Sequence, residues 1–277
     1  MIPLTRIRTA EAIPSKYHGK GKQRADKQLL LVWLKKKQNP DKGFAFNDGF
    51  WKDAKTQLKQ ESHHKCAYCE ANTAVVAHGD VEHYRPKSKY WWLAYTYDNY
   101  LYACQICNQT YKGDHFTIAG TEMPEPAIPP ALTEAHVANY IGHLSPDPLD
   151  ATGHISVQVF EAAHYAEKAH LLNPYLDNPV TYFAYSADDV TKEVTLIPTH
   201  PNHAEVVKAA EEYYGINRPE LLSARYQVFR TFRVVKRSLT RMTPADPDWQ
   251  ETHDTYQDML SDDHLFAGMC RYFDGII

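Results

Sequence analysis

The sequence lacks a long apolar run. Nothing in its 277 residues approaches the roughly 18 consecutive apolar residues of a membrane-spanning helix, and its first residues lack the apolar segment of a secretory signal. Cysteine is scarce, with five in the chain, which excludes a small disulfide-stapled scaffold. Apolar residues make up 43% and charged residues 23%, so the composition is globular and excludes wholesale disorder. We expect a cytoplasmic protein without a membrane segment.

The chain also lacks an overall excess of positive charge, since its formal net charge is -4. The charges are nevertheless unevenly distributed. Residues 1–40 contain ten Lys or Arg against two Asp or Glu, and residues 218–241 contain seven bases against one acid. Phosphate binding depends on local potential rather than on net charge, so these stretches predict a track for nucleic acid. Solvated helix faces would give the same pattern, and the sequence leaves both interpretations open.

Hydrophobic periodicity predicts helices with a few strands, whereas residues 63–116 are rich in Cys, His and aromatic residues and fit neither simple period. This layout predicts an α+β protein in which a small metal-centred module is embedded in a mostly helical scaffold. We expect a basic arm with helices at 1–60, a central module at 61–120 and a mostly helical region at 121–277. The predicted elements are a basic linker at 14–26, helices at 25–38, 47–60, 166–172, 203–214, 219–242 and two within 249–275, and strands at 74–81, 154–160 and 193–198. The proline-rich stretch 120–151 is expected to be irregular.

Four of the five cysteines form two C-x-x-C pairs. Cys66 and Cys69 stand in C-A-Y-C, and Cys104 and Cys107 stand in C-Q-I-C. A C-x-x-C turn points two thiolates at one point, and two such turns complete a tetrahedral Zn²⁺ site. Four cysteine ligands leave no open position for a catalytic water, so we predict a structural zinc. Cys270 is expected to be a small, buried apolar residue.

The stretch between the two cysteine pairs carries residues suited to catalysis. Glu82 and His83 give an adjacent carboxylate and imidazole, and Asn108 directly follows the last paired cysteine. Carboxylate and amide oxygens suit Mg²⁺ or Mn²⁺, and an imidazole beside such a cation can activate water for attack on a phosphodiester. Asn99 lies in the intervening loop, and Lys112 follows on a predicted helix.

This pattern has a known counterpart. The order C-x-x-C, then E-H-x-R-P-K, then D-N-x-L-x-x-C-x-x-C-N-x-x-x-K-G resembles the HNH endonucleases of the ββα-metal type. Within them it is most similar to the subgroup found with bacterial retrons and Septu anti-phage systems. The motifs occupy residues 63–116, and weaker similarity continues through 171–183 and 214–225. The resemblance implies an endonuclease that acts in bacterial defence with an ATPase partner, with DNA as the default substrate and RNA left open.

The same resemblance assigns roles to single residues. His83 would be the general base that deprotonates the attacking water. Glu82 and Asn108 would be the ligands of a catalytic Mg²⁺ or Mn²⁺, although most of the family carries Asp where this chain has Glu82. Asn99 matches the residue that braces the loop holding the catalytic histidine. Lys112 stands at a basic position that can contact phosphate.

Weaker candidates surround this set. Asp80 is either a further metal ligand on the Glu82 face of the strand or a turn residue, and His115 is a candidate for a phosphate or metal contact. Arg85 could bind a phosphate or pair with a structural carboxylate, and Lys87 follows it as a second phosphate candidate. The arginines of the long helix share one face and could bind nucleic acid or an acidic partner; they are Arg230, Arg233, Arg237 and Arg241.

A second class of protein also fits the cysteines: a zinc-stabilised nucleic-acid-binding or adaptor module without catalysis. Such a module has no need of Glu82, His83 and Asn108 together, so their joint presence favours the enzyme. The aromatic residues at 90–97 are expected to pack around the zinc site rather than to stack on bases. We expect weak sequence specificity, because no helix with base-reading side chains stands out.

Overall fold

The computed structural model describes residues 1–73 and 79–277. In chain order it contains α1 (Gly19–Gln38), α2 (Lys55–Glu61), β1 (Asp80–His83), β2 (Tyr100–Ala103), a π-helix (Ile106–Lys112), α3 (Val157–Glu167), α4 (Pro179–Tyr182), β3 (Phe183–Asp188), β4 (Glu193–Pro198), α5 (Ala204–Tyr214), α6 (Pro219–Leu239), α7 (Trp249–Leu260) and α8 (Ala267–Asp274). Two small sheets therefore stand among helices, which confirms the predicted α+β class.

Both sheets are antiparallel pairs of strands. β1 pairs with β2 so that Glu82 lies opposite Leu101 and His83 lies opposite Tyr100. β3 pairs with β4 through a short turn. An isolated pair of strands is marginally stable in water, so each pair depends on the elements packed around it. For β1 and β2 these are α2 and the 3-10 turn Trp51–Ala54.

The buried apolar residues form one contiguous cluster that runs from the first residues to α8. The aromatic segment at 90–97 lies inside it, with Tyr90, Trp91, Trp92, Tyr95 and Tyr97 all buried. Their rings are therefore unavailable for stacking on bases, which agrees with the expected packing role.

The first eight residues do not form the basic arm that their charges predict. The guanidinium of Arg6 lies 3.6 Å from the centre of the Tyr175 ring and donates a hydrogen bond of 3.0 Å to Glu61. Arg8 forms an ion pair of 2.7 Å with Asp98. Because both charges are satisfied within the fold, they do not contribute to a track for nucleic acid.

Two predictions near the amino terminus need correction. The linker predicted at 14–26 is wrong, because a 3-10 turn at Ser15–Tyr17 leads into α1 from Gly19. Within this part of α1, Lys22 and Asp26 are buried and form an ion pair one helical turn apart. The helix predicted at 47–60 begins late, at the 3-10 turn Trp51–Ala54, which continues into α2.

Two predictions further along are wrong. Residues 154–160 alternate in polarity like a strand, yet they enter α3. The Ser156 hydroxyl accepts a hydrogen bond of 3.3 Å from the backbone amide three residues later, and this N-cap favours a helix. Residues 166–172 are not a helix, because Lys168 adopts a φ of 47° that ends α3.

The remaining predictions agree better with the structure. The strand predicted at 193–198 is β4, the helices predicted at 203–214 and 219–242 are α5 and α6, and the two within 249–275 are α7 and α8. Residues 120–151 are irregular apart from a 3-10 turn at Glu134–Tyr140. Of the strand predicted at 74–81, residues 74–78 lie outside the described residues. β3 was not predicted. None of the described helices is both long and apolar enough to cross a bilayer.

Candidate active site and zinc centre

The two C-x-x-C pairs meet in space, as their spacing predicts. The Sγ atoms of Cys66, Cys69, Cys104 and Cys107 all lie within 4.8 Å of one another. A tetrahedral zinc with Zn–S distances near 2.3 Å would place its sulfurs about 3.8 Å apart, so the cluster needs only a small contraction to bind the ion. Four soft sulfur donors and no oxygen donor are the ligand set that Zn²⁺ prefers.

The surroundings of the cluster favour thiolate at part of it. Hydrogen bonds from Cys104 and Cys107 lower the pKa of Cys69, whereas burial raises the pKa of Cys66. Arg218, just before α6, points its guanidinium at the sulfurs, with Nη1 at 3.6 Å from Cys107 Sγ and Nη2 at 3.9 Å from Cys69 Sγ. A cation at this distance offsets the negative charge of a four-thiolate site. The fifth cysteine, Cys270, is fully buried, as expected.

β1 carries Glu82 and His83 to the edge of a cavity of about 480 Å³. Asn108, near the start of the π-helix, lines the same cavity, and so does Asp80. The Asp80 carboxylate accepts a hydrogen bond of 2.7 Å from the side chain of Gln109. The structure therefore brings together the three predicted oxygen donors and the predicted base, although they are separated by up to 28 positions in the chain.

The imidazole of His83 is held in a defined orientation. Its Nε2 lies 3.0 Å from the Ala94 carbonyl oxygen, which can only accept, so Nε2 carries the proton and Nδ1 has the free lone pair. The rings of Trp51 and Tyr100 contact the imidazole edge to face at 4.7 and 5.0 Å. Burial lowers the pKa of His83 to about 3, so the ring is neutral at pH 7. Among the described residues, Nδ1 has no hydrogen-bond partner.

Lys112 lies inside the protein, not on its surface. Its ammonium is 2.5 Å from Glu82 Oε1 and donates a hydrogen bond of 3.0 Å to the His83 carbonyl oxygen. Burial raises the pKa of Glu82, and Lys112 opposes that shift. The side chain of Lys112 is 0% exposed, so the phosphate contact implied by the resemblance does not fit this position. Lys112 instead fixes the end of β1.

Asn99 braces the chain that follows His83. Its side-chain oxygen accepts from the Arg85 amide at 2.9 Å, and its side-chain nitrogen donates to the Arg85 carbonyl at 3.0 Å. Asn99 is fully buried. These two bonds satisfy both backbone polar groups of Arg85, as a neighbouring strand would, and so fix the backbone two residues beyond His83. The resemblance implies such a bracing role for this asparagine.

Arg85 itself cannot bind a phosphate in this structure. Its side chain is 0% exposed and is paired with Glu167 on α3 at 2.5 Å. The guanidinium also lies 3.1 Å from His164 Nδ1, and the other ring nitrogen of His164 faces Asp177 at 3.1 Å. Of the two interpretations left open by the sequence, pairing with a structural carboxylate is the one observed. Arg85 therefore connects the segment after β1 to α3.

The other predicted basic residues are divided between two places. Lys87 lines the cavity, with its ammonium 5.2 Å from the centre of the Trp51 ring. None of the four predicted arginines at the end of the long helix lines it, and one of them, Arg233, is paired with Asp189 at 2.8 Å. The three that remain exposed are Arg230 and Arg237 on α6 and Arg241 just beyond it. His115 also lies outside the cavity lining and stacks on Tyr213 at 4.8 Å.

One wall of the cavity was missed by the sequence analysis. It is formed by Trp51, Lys52 and Lys55, which precede the first cysteine pair and match no motif. Their position 28 or more residues before His83 gives no local signal of proximity. Only the contact of the Trp51 ring with His83 reveals that this turn belongs to the site.

Comparison with known proteins gives one distant link. The chain is similar to the Septu protein PtuB of Bacillus mycoides strain KBAB4, with 33% identity over 91 aligned residues that cover 28% of this chain and 31% of the relative. The chain thus matches less than a third of that relative's length. No protein-family model matches it. The comparison therefore shows a partial sequence similarity to one Septu protein, and the four-cysteine cluster fits a zinc site.

Proposed function

We propose that this protein is a metal-dependent HNH endonuclease that hydrolyses phosphodiester bonds of nucleic acid. We further propose that it is the effector of a bacterial anti-phage defence system and acts with an ATPase partner. The motif resemblance and the distant similarity to a Septu protein support the biological setting. DNA is the default substrate and RNA the alternative, because water activated by a histidine base can attack either phosphodiester.

The observation that carries the proposal is the arrangement around His83. A neutral imidazole whose Nε2 proton is held by the Ala94 carbonyl has Nδ1 available as a base. It borders one cavity with Glu82 and Asn108. A base, a carboxylate and an amide oxygen in one open cavity are what hydrolysis of a phosphodiester requires.

The donor atoms at the cavity fit a hard divalent cation. Glu82 and Asn108 would bind it, with Asp80 as a further oxygen donor on the same strand face. When bound, Mg²⁺ or Mn²⁺ supplies Lewis acidity that neutralises the charge developing on the phosphate. The four cysteines offer no vacant position and fit a structural Zn²⁺, so the two metals would have separate tasks.

The protein side chains define the proton path. Nδ1 of His83 takes a proton from water as the water oxygen bonds to phosphorus. The bond between phosphorus and the 3′ oxygen breaks. The leaving oxygen takes a proton from solvent, and the imidazolium returns its own proton to solvent. The Ala94 carbonyl keeps the ring oriented, and Asn99 fixes the backbone beside it.

The test is cleavage of plasmid DNA and bulk tRNA with Mg²⁺ or Mn²⁺ by the wild-type protein and by His83→Ala. Loss of a general base typically costs 10²- to 10⁴-fold in rate, and we expect a loss of about this size. His115→Ala is the matched control, because this exposed histidine lies outside the cavity lining. Cleavage by His83→Ala at the wild-type rate would refute the assignment of the base.

A second candidate is a zinc-stabilised nucleic-acid-binding or adaptor module without catalysis. One observation favours it: Lys112 already balances the charge of Glu82, which a catalytic cation would otherwise do. In that case neither the wild type nor His83→Ala would cleave any substrate with any cation, even after addition of an ATPase partner.

A further inference from the structure

Three lysines surround the mouth of the candidate active site. Lys52, Lys55 and Lys87 all line the cavity that contains Glu82 and His83. Across residues 1–73 and 79–277, none of the three ammonium groups has an ion-pair or hydrogen-bond partner. By contrast, seven other described lysines are each paired with a carboxylate: Lys16, Lys22, Lys65, Lys89, Lys112, Lys208 and Lys236.

The backbone places Lys52 and Lys55 on one side of their turn. Residues Trp51–Ala54 form a 3-10 turn, and α2 begins at Lys55. Side chains three apart in a 3-10 helix eclipse one another, and a rise of about 2.0 Å per residue sets their Cα atoms about 6 Å apart. The carboxylate between them, Asp53, pairs with Lys16 and so does not neutralise this wall.

The same turn is fixed relative to the candidate base. Trp51, next to Lys52, contacts the His83 ring at 4.7 Å, and its own ring lies 5.2 Å from the Lys87 ammonium. The three lysines therefore line one cavity together with Asp80 and Glu82 on β1. A phosphodiester chain crossing the cavity would meet basic groups beside the place where one phosphate is attacked.

We propose that Lys52 and Lys55, with Lys87, bind the phosphate backbone of a polynucleotide next to the scissile bond. The inference rests on the proposed function and extends it, because two adjacent lysines outside the reaction centre imply a substrate with several phosphates. If the substrate had a single phosphoryl group, held at the metal site, neutral side chains at positions 52 and 55 would suffice to bind it. The binding is electrostatic and carries no sequence readout.

The experiment compares the wild type with Lys52→Gln/Lys55→Gln. Binding of a fluorescein-labelled DNA duplex, its single strand and the matching RNA is followed by fluorescence anisotropy over a range of salt concentrations. No divalent cation is added, and chelators are omitted to retain zinc. Two lost phosphate contacts should reduce the slope of log K against log salt by about 1.8 for the duplex and 1.4 for a single strand. Affinity at about 0.1 M salt should fall about 25- to 60-fold.

The matched control is Lys42→Gln/Lys192→Gln, which removes the same charge at two exposed lysines that have no ion pair among the described residues and do not line the cavity. Its salt slope should stay near that of the wild type. Equal slopes for the wild type and Lys52→Gln/Lys55→Gln would overturn the inference, and so would a wild type that binds none of the three probes.

The two proposals can fail separately. If the wild type cleaves, and Lys52→Gln/Lys55→Gln binds and cleaves equally well, the nuclease proposal stands and phosphate binding by the lysines is refuted. A selective loss of binding in Lys52→Gln/Lys55→Gln, in a protein that cleaves nothing with any cation even after addition of an ATPase partner, would support phosphate binding by the lysines and refute the nuclease. Unchanged zinc content and melting temperature in both variants would establish that folding is intact.

Discussion

The two hairpins of this protein are built alike and positioned differently. In each, an asparagine pins the backbone of one residue with a pair of hydrogen bonds. Asn99 does so for Arg85 beyond β1 at 2.9 and 3.0 Å, and Asn217 does so for Leu196 in β4 at 2.9 and 2.8 Å. Asn99 is fully buried, whereas Asn217 is half-buried.

The surroundings differ more than the pairing. The four residues of β2 are all buried, and those of β1 nearly so, whereas β3 exposes Ser186 and Asp188 and β4 alternates buried with half-buried residues. β1 and β2 carry the candidate site and are held by the buried ion pairs of Lys112 and Arg85. The β3–β4 hairpin packs against α5, α6 and α8, so the comparison teaches that the two hairpins differ in burial and in the buried charges beside them, while both depend on the elements around them.

The largest effect should come from the four clustered cysteines, two of which precede the first hairpin in the chain and two of which follow it. Structural zinc contributes on the order of 10–16 kcal/mol in small zinc domains, so Cys104→Ser should lose zinc and lower the melting temperature steeply. Metal analysis and thermal unfolding measure both. The control is Cys270→Ser, which should retain its zinc. A soluble Cys104→Ser protein with full zinc and unchanged melting would contradict a structural zinc site.

The next effect compares two arginine–carboxylate pairs. Arg85→Ala leaves Glu167 as an uncompensated buried charge, and removing one partner of a buried pair costs about 3–5 kcal/mol. Arg233→Ala breaks the exposed pair with Asp189 near the second hairpin, and solvent-exposed pairs contribute little. Denaturant unfolding of both variants checks the difference. Equal losses of stability would mean that burial of Arg85 does not govern its contribution.

The smallest effect should separate the two asparagines. Asn99→Ala removes two bonds to buried backbone groups, at a cost of about 1–3 kcal/mol for each group left unsatisfied, and it should also slow cleavage by displacing His83. Asn217→Ala should lower stability less, because water can replace its bonds, and it should leave cleavage unchanged. Stability and cleavage rate are measured on both. If Asn217→Ala slowed cleavage as much as Asn99→Ala, the claim that Asn99 acts on cleavage by positioning His83 would be refuted.

The features that the sequence predicted well are local. The C-x-x-C pairs and the adjacent Glu82 and His83 carry their geometry in a few residues, and α5 to α8 have long, regular apolar stripes. Arg85 could not be assigned, because its partner Glu167 lies 82 positions away. Lys52 and Lys55 could not be assigned to the cavity either, because no motif connects them to β1. Residues 154–160 were misassigned because their alternating polarity outweighed the cap at Ser156.

The contact of Arg218 with the cysteine sulfurs has a consequence for how this protein can be divided. Arg218 lies 111 positions after Cys107 and 149 after Cys69, and Tyr214, near it, stacks on Tyr68 at 3.8 Å. The motif-bearing segment 63–116 therefore cannot be transferred to another protein as an independent unit. Excised without the chain around Arg218, it would lose the guanidinium that faces its sulfurs and the ring that stacks on Tyr68. An exchange between proteins must therefore carry both segments together.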